Sequence, residues 1–464
     1  MRQTSVINDL LSTLSDTTGL FAERRRPRRT SREELSAMLA DLLANRGEAS
    51  SLERANEFLA AYRDLDSAGR TFVFRTLAAD YGAPAETLAR AAEAYLQSPT
   101  ECTAKALRRA TEPQRMELFR RLNQVQGGTQ ALVAMRLEVR ERIAHHPDLW
   151  TVDEDLATLF ASWFNRGFLV LRAIDWQTSA AVLEKIIRYE AVHAIKGWDD
   201  LRLRIDVPDR RLYAFFHPRL GDEPLIFVEV ALTTDTPTAI GPILEPRREP
   251  IDPRTATHAT FYSISNCQDG LKGISFGAFL IKQVAETLAA ELPNLKTFVT
   301  LSPVPGFAAW LRSESANADG VVDEATRTLL NQLDPAGDWL NDPAIAKLAE
   351  TQLMPLLAHY FVTARDPRGR IVDPVARFHL GNGARLEQLN FAADRSERGL
   401  TNAHGMMVNY RYVLADVEKN HEAYINAGTV AASNAVVRLA RNAKREQQPA
   451  QPKPARRGKD KATA

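Results

Sequence analysis

Between residues 260 and 311 the chain gathers glycines, a lysine and a Ser-Pro pair whose types and spacing suit work on a phosphate-bearing ligand. Gly270, Gly273 and Gly277 follow a short β-prone stretch, residues 260–265. They open a helical pattern that starts at Ser275 and carries Phe279, Leu280, Val284 and Leu288 at helical spacing. A glycine loop at a helix start presents backbone N–H groups beside the positive end of the helix dipole. Without a Cβ in the way, the backbone can approach a pyrophosphate. The spacing is neither G-x-G-x-x-G nor a P-loop, because no G-K-[ST] closes it. The same pattern fits an ordinary strand-to-helix connection. Two further side chains bring acid–base capacity. Ser302 follows the β-prone residues 297–301 and precedes Pro303, and His379 ends an apolar run before Gly381-Asn-Gly383. Taken singly, each also reads as structure: a strand terminator and a strand-end histidine.

The elements that must position these residues fall into two stretches. Residues 1–160 read as an all-helical domain for assembly and packing. Ser31-Arg-Glu-Glu34 is a capping-box pattern ahead of Leu35, Met38, Leu39, Leu42 and Leu43. Thr111-Glu-Pro-Gln114 spells a second box, and Pro84 marks another helix start. Residues 161–442 alternate strands and helices. Residues 211–217 and 225–232 are strands joined by a turn at Pro218–Pro224. Residues 233–258 form a proline-rich loop. Residues 375–380 and 385–391 are expected to pair as a hairpin across Gly381-Asn-Gly383. Residues 443–464 are basic and nearly free of large apolar side chains, a composition that predicts a disordered tail.

Bulk properties exclude several classes. The 464 residues exceed a single core, and 59 basic against 58 acidic residues leave no field that would draw the chain to nucleic acid or membrane. The two cysteines, Cys102 and Cys267, rule out a disulfide scaffold and fit a reducing, cytoplasmic setting. No apolar run is long enough to span a membrane. Asp9 and Asp16 precede the basic residues 24–29 and argue against a mitochondrial leader. Cys267 reads as a small buried residue, and His145-His146 lacks partners at metal spacing.

The wording of the central stretch resembles the malonyl-CoA decarboxylase family, whose catalytic domain is related to the GCN5-type acetyltransferase fold. The likeness is carried by Phe261-Tyr-Ser-Ile-Ser265, Gly270-Leu-Lys-Gly273, Gly277-Ala-Phe-Leu-Ile-Lys282, Leu301-Ser-Pro-Val-Pro-Gly-Phe307, Asp373-Pro-Val-Ala-Arg-Phe-His-Leu-Gly-Asn-Gly383 and Asn409-Tyr-Arg-Tyr412. The resemblance implies an α+β chain, a helical bundle followed by an acetyltransferase-like mixed β-sheet domain with flanking helices. It implies conversion of malonyl-CoA to acetyl-CoA and carbon dioxide. Ser302 and His379 match the family's active dyad, the histidine as proton donor and the serine as partner of substrate and histidine. Tyr412 matches a family active-site position, and Asn409, close by in sequence, is placed to orient the dyad. The family's CoA-binding loop matches Lys272, Gly273, Ile274, Ser275, Phe276, Gly277 and Ala278. Some relatives carry glutamate where Ser275 stands, which leaves that serine to cap the helix or meet phosphate. The chemistry asks for no metal or organic cofactor, because the thioester is the electron sink. A homotetramer is implied as well. A CoA-dependent N-acyltransferase and a non-catalytic malonyl-CoA sensor are the competing readings.

Overall fold

Packing divides the chain into two units. One takes Met1–Trp163 together with Asp269–Ile274, and the other takes Phe164–Gln268 and Ser275–Ala464. The computed structural model describes residues 30–44, 47–274, 276, 280–317, 320–334 and 337–445. The basic residues 24–29, residues 446–464 of the expected tail, and Ser275, Gly277 and Ala278 of the glycine loop lie outside the described residues. Among the described residues no helix is long and apolar enough to cross a membrane.

The first unit is helical from Arg32–Ala44 to Trp150–Trp163. Its first helix starts as the sequence predicts. Ser31 N donates to Glu34 Oε2 at 2.8 Å, and Glu34 N donates to Ser31 Oγ at 3.2 Å. This satisfies two backbone donors that the helix end would leave orphaned. Leu35, Leu39 and Leu42 then bury one face. The second expected box does not form. Thr111 closes the helix Glu101–Ala110, its hydroxyl donating to Arg108 O at 2.8 Å, and the helix Gln114–Gln124 begins behind Pro113 without a side-chain cap. A reciprocal box does form at Thr100 and Thr103, where threonine takes the place usually held by glutamate or glutamine.

The segment Asp269–Ile274 belongs to this helical unit, which the sequence does not foretell. It seats on the helix Gly128–Arg142. A Cβ on Gly270 would fall 2.1 Å from Val133 O, so only glycine fits there. Buried Arg136 clamps the segment. Its Nη1 donates to Gly270 O at 2.8 Å and to Lys272 O at 3.2 Å, while its Nε donates to Asp153 Oδ1 at 2.9 Å.

The second unit is built on a mixed sheet flanked by helices. Its strands are β1 (Val170–Ile174), β2 (Arg210–Phe216), β3 (Pro224–Thr233), β4 (His258–Asn266), β5 (Thr297–Thr300), β6 (Ser302–Pro303), β7 (Arg385–Asn390) and β8 (Met407–Arg411). The order is β1-β2-β3-β4-β5-β8-β6, with β7 also pairing β8. β2, β3 and β4 are buried along nearly their whole length, and in β4 that burial takes in the polar residues Thr260, Ser263 and Ser265. β4 and β5 run parallel, and the other pairings are antiparallel. β8 bridges β5 through Val299–Arg411 and β6 through Ser302–Val408.

The expected hairpin is corrected. Residues 375–380 lie in a helix, Pro374–Gly381, and β7 pairs with β8 instead. Asp373 is the N-cap, its Oδ1 accepting from Ala376 N at 2.8 Å, and Pro374 occupies the first turn, where its missing N–H costs nothing. Such a cap contributes about 1 kcal/mol. Asp373 Oδ2 accepts from Tyr360 Oη at 3.2 Å. A Cβ on Gly306 would lie 2.5 Å from that phenolic oxygen, so the glycine of the Leu301–Phe307 motif admits the tyrosine that anchors the cap.

Candidate active site

Ser302 and His379, 77 residues apart, meet at 3.1 Å through Oγ and Nε2. β6 supplies the serine and the last turn of the helix Pro374–Gly381 supplies the histidine. His379 Nδ1 lies 2.8 Å from Tyr412 Oη. Ser302 Oγ donates to Thr300 Oγ1 at 2.9 Å, and Thr300 Oγ1 also accepts from Tyr410 N at 3.1 Å. The Tyr410 ring stacks on the imidazole, centroids 4.5 Å apart and planes at 24°. Tyr410 and Tyr412 sit two apart, so both side chains leave the same side of the chain. Sequence reading names Ser302, His379 and Tyr412 but misses Thr300 and Tyr410. A signal exists for both: Thr300 and Ser302, like Tyr410 and Tyr412, stand in period-two register.

Asn409 does not touch the dyad. Fully buried, it accepts from Asn390 Nδ2 at 2.6 Å and donates to Thr300 O at 2.7 Å and to Pro237 O at 3.1 Å. It fastens β8 to β7, to Thr300 and to the proline-rich loop.

Ser302 and His379 open onto a cavity of about 250 Å³. Phe261, Ile264, Pro303, Val375 and Phe378 make apolar walls, and Asn266 adds an amide. Small-molecule sites commonly run to about 300–1,000 Å³, and this cavity lies just below that range. Burial pushes His379 down to about 3 from 6.5 and holds the imidazole neutral. Burial also pushes the Tyr412 phenol up, so it keeps its proton. The buried Asp373 carboxyl is pushed up to about 6 by the same desolvation. Among the described residues no cluster of three or more metal-ligating side chains occurs.

A pH dependence follows. A histidine with an ordinary value changes charge near 6.5, but His379 stays neutral as pH falls through that point. Its kcat/KM profile is therefore expected to carry no histidine limb near pH 6.5 in the free enzyme. A limb there that vanishes in His379→Gln would contradict the neutral imidazole. The effect on stability has a definite sign. The unfolded chain protonates this histidine near 6.5 and the folded chain only toward 3, so the unfolded state binds more protons in between. The stability linked to His379 is whole above 6.5 and is lost as pH falls toward 3.

The glycine loop is divided between the two units. Lys272 and Gly273 are exposed, Ile274 is half-buried and Phe276 is buried. Gly273 has φ +85°, a left-handed conformation that favours glycine, and a Cβ added there would meet nothing within 4 Å. Two of the loop's N–H groups serve its own turns, Lys272 N to Asp269 O at 3.1 Å and Ile274 N to Leu271 O at 2.9 Å. Cys267 is buried with its thiol pushed up by burial, as expected of an inert residue.

Comparisons with known proteins agree with this architecture. The malonyl-CoA decarboxylase N-terminal domain matches residues 81–164, and the malonyl-CoA decarboxylase C-terminal domain matches residues 167–450. The mitochondrial malonyl-CoA decarboxylase of the goose Anser anser anser is 34% identical over 420 residues, covering 83% of this chain and 82% of its own length. Among solved structures, malonyl-CoA decarboxylase from Rhodopseudomonas palustris is 54% identical with a TM-score of 0.85, covering 88% of this chain and 99% of its own. That from Agrobacterium vitis is 52% identical with a TM-score of 0.83, at the same coverage. With both domains matched in order and most of each relative covered, the chain belongs to the malonyl-CoA decarboxylase family.

Proposed function

We propose that this chain converts malonyl-CoA to acetyl-CoA and carbon dioxide, with Ser302 and His379 carrying the reaction. The observation behind the residue roles is the 3.1 Å contact between Ser302 Oγ and His379 Nε2 at the wall of a small, largely apolar cavity. With the carboxylate turned out of the thioester plane, the carbon–carbon bond breaks and its electron pair passes into the carbonyl π system. Carbon dioxide leaves, and donors aimed at the enolate oxygen stabilise the charge that develops there. His379 gives one proton to the enolate carbon, while Ser302 holds the imidazole by accepting from its Nε2–H. The thioester is the electron sink, so the step draws on no metal or organic cofactor.

In this reading the loop of Lys272, Gly273, Ile274 and Phe276, continued in sequence by Ser275, Gly277 and Ala278, cradles the CoA phosphates. Arg136 shapes that cradle by fixing Gly270 O and Lys272 O. Arg136→Ala is expected to raise the dissociation constant of free CoA several-fold while the Ser302–His379 pair stays intact. Isothermal titration with CoA checks it, and unchanged affinity in a folded variant would separate the loop from CoA binding. A homotetramer in the cytoplasm belongs to the same proposal, and light scattering and cell fractionation address its two parts.

The function itself is tested by following malonyl-CoA, acetyl-CoA and carbon dioxide with the purified chain, with and without an added amine. Equal loss of malonyl-CoA and gain of acetyl-CoA without amine is the expected result. Turnover that needs the amine would replace this reading with an acyltransferase. Binding without turnover would replace it with a sensor.

A further inference from the structure

We propose that Thr300 is a positioning residue that fixes which ring nitrogen of His379 carries the proton; this rests on the reading of His379 as proton donor. Thr300 is fully buried, and its Oγ1 accepts from Tyr410 N at 3.1 Å and from the Ser302 hydroxyl at 2.9 Å. The one hydroxyl proton of Ser302 is directed at Thr300. Toward His379 the serine oxygen therefore offers only lone pairs, and the 3.1 Å contact requires a hydrogen on Nε2. A neutral imidazole has a single N–H, so Nδ1 is left as an acceptor. Tyr412 Oη, 2.8 Å away and still carrying its proton, donates to it. Tyr412, His379 and Ser302 then each donate in one direction toward Thr300, whose Oγ1 also accepts from the backbone N–H of Tyr410.

The direction has a chemical consequence. Ser302 and His379 both line the cavity, and the Nε2–H held between them is the proton assigned to carbon. When that proton leaves for the enolate carbon, a proton from solvent entering the vacated cavity returns to Nε2 while Tyr412 still donates to Nδ1, so one proton is taken up for each carbon dioxide released and the starting tautomer is restored. Without the Thr300 acceptor, the Ser302 hydroxyl turns toward His379 and donates to Nε2. The ring proton then sits on Nδ1 facing Tyr412, and Nε2 holds no proton to give.

The test uses the full chain labelled with ¹⁵N in its nine histidines, with the His379 signals assigned by their loss in His379→Gln. The wild-type protein is expected to show Nε2 protonated and Nδ1 bare. Thr300→Val is expected to reverse this pattern and to lower kcat by about 10²-fold, the low end of general acid–base contributions, with KM for malonyl-CoA little changed. Thr300→Ser, which keeps the acceptor, is expected to restore both the tautomer and the rate. A wild-type ring protonated on Nδ1 overturns the proposal outright, even if Thr300→Val fails to fold. An unchanged tautomer in a folded Thr300→Val, or no rescue by serine, overturns it too. The tautomer is read without turnover, so failure here is distinct from failure of the decarboxylase reading, which the assay of malonyl-CoA decides.

Discussion

Replacing His379 by alanine is expected to cut turnover by about 10²–10⁴-fold, the range that a positioned general acid supplies, while malonyl-CoA still binds. The imidazole is 2% exposed and bonded on both nitrogens, so its loss removes the proton donor and the partner of Ser302 and Tyr412 together. Ser302→Ala is expected to slow turnover as well, because the imidazole loses the oxygen that accepts from its Nε2–H and holds the ring in place. The double variant should be little worse than His379→Ala, since groups acting as one unit are not additive. Steady-state rates and malonyl-CoA binding for the three variants, with folding checked by circular dichroism, decide the matter. Full turnover in His379→Ala would remove the histidine from the mechanism.

Gly270→Ala is expected to give the largest loss of stability among single changes in the glycine loop. The added Cβ would meet Val133 O at 2.1 Å and Val133 C at 2.9 Å, and neither backbone atom can swing aside. Forced overpacking of this kind costs about 1–3 kcal/mol. The segment must lift from the helix Gly128–Arg142, which pulls Gly270 O and Lys272 O away from Arg136. A lower melting temperature and weaker CoA binding are therefore expected together. Gly273→Ala makes the comparison: it meets no atom within 4 Å, but its φ of +85° is strained for alanine, at about 1–2 kcal/mol. Wild-type melting and CoA affinity in Gly270→Ala would mean the segment does not seat on that helix.

Much of this architecture is legible in the chain itself. β2 and β3 declare themselves because each carries an apolar run rich in branched and aromatic residues, bounded by turn residues, and β4 shows as a shorter β-prone stretch. Ser302, His379 and Tyr412 are legible through family wording, not through periodicity. The helix Pro374–Gly381 passes for a strand because eight residues hold barely two turns, too short for a helical period to stand out from alternation. Its true signature is the Asp373-Pro374 pair, a cap followed by a first-turn proline, and the buried Ala376, His379 and Leu380 at three- and four-residue spacing. Thr111 fails as a cap for the opposite reason, since the spelling is right but the residue is already engaged as the end of the preceding helix. The seating of Asp269–Ile274 on the helical unit cannot be read at all. It depends on Val133 and Arg136 meeting a stretch more than a hundred residues away, and no local pattern encodes such a meeting.

That distant seating also bears on how the protein is made. Arg136 and Gly270 are separated by 134 residues. At synthesis rates of about 5–20 residues per second, a ribosome needs on the order of ten seconds to deliver the second after the first. Throughout that interval the nascent helices present a guanidinium meant for burial with two of its carbonyl acceptors not yet made, and Val133 faces no packing partner from the segment. The closing step waits for translation and then bears the entropic cost of a long loop closure. Nascent chains halted before residue 269 should accordingly be more open to protease at the helix Gly128–Arg142 than chains halted well past residue 274, with the difference arising abruptly as the segment clears the exit tunnel.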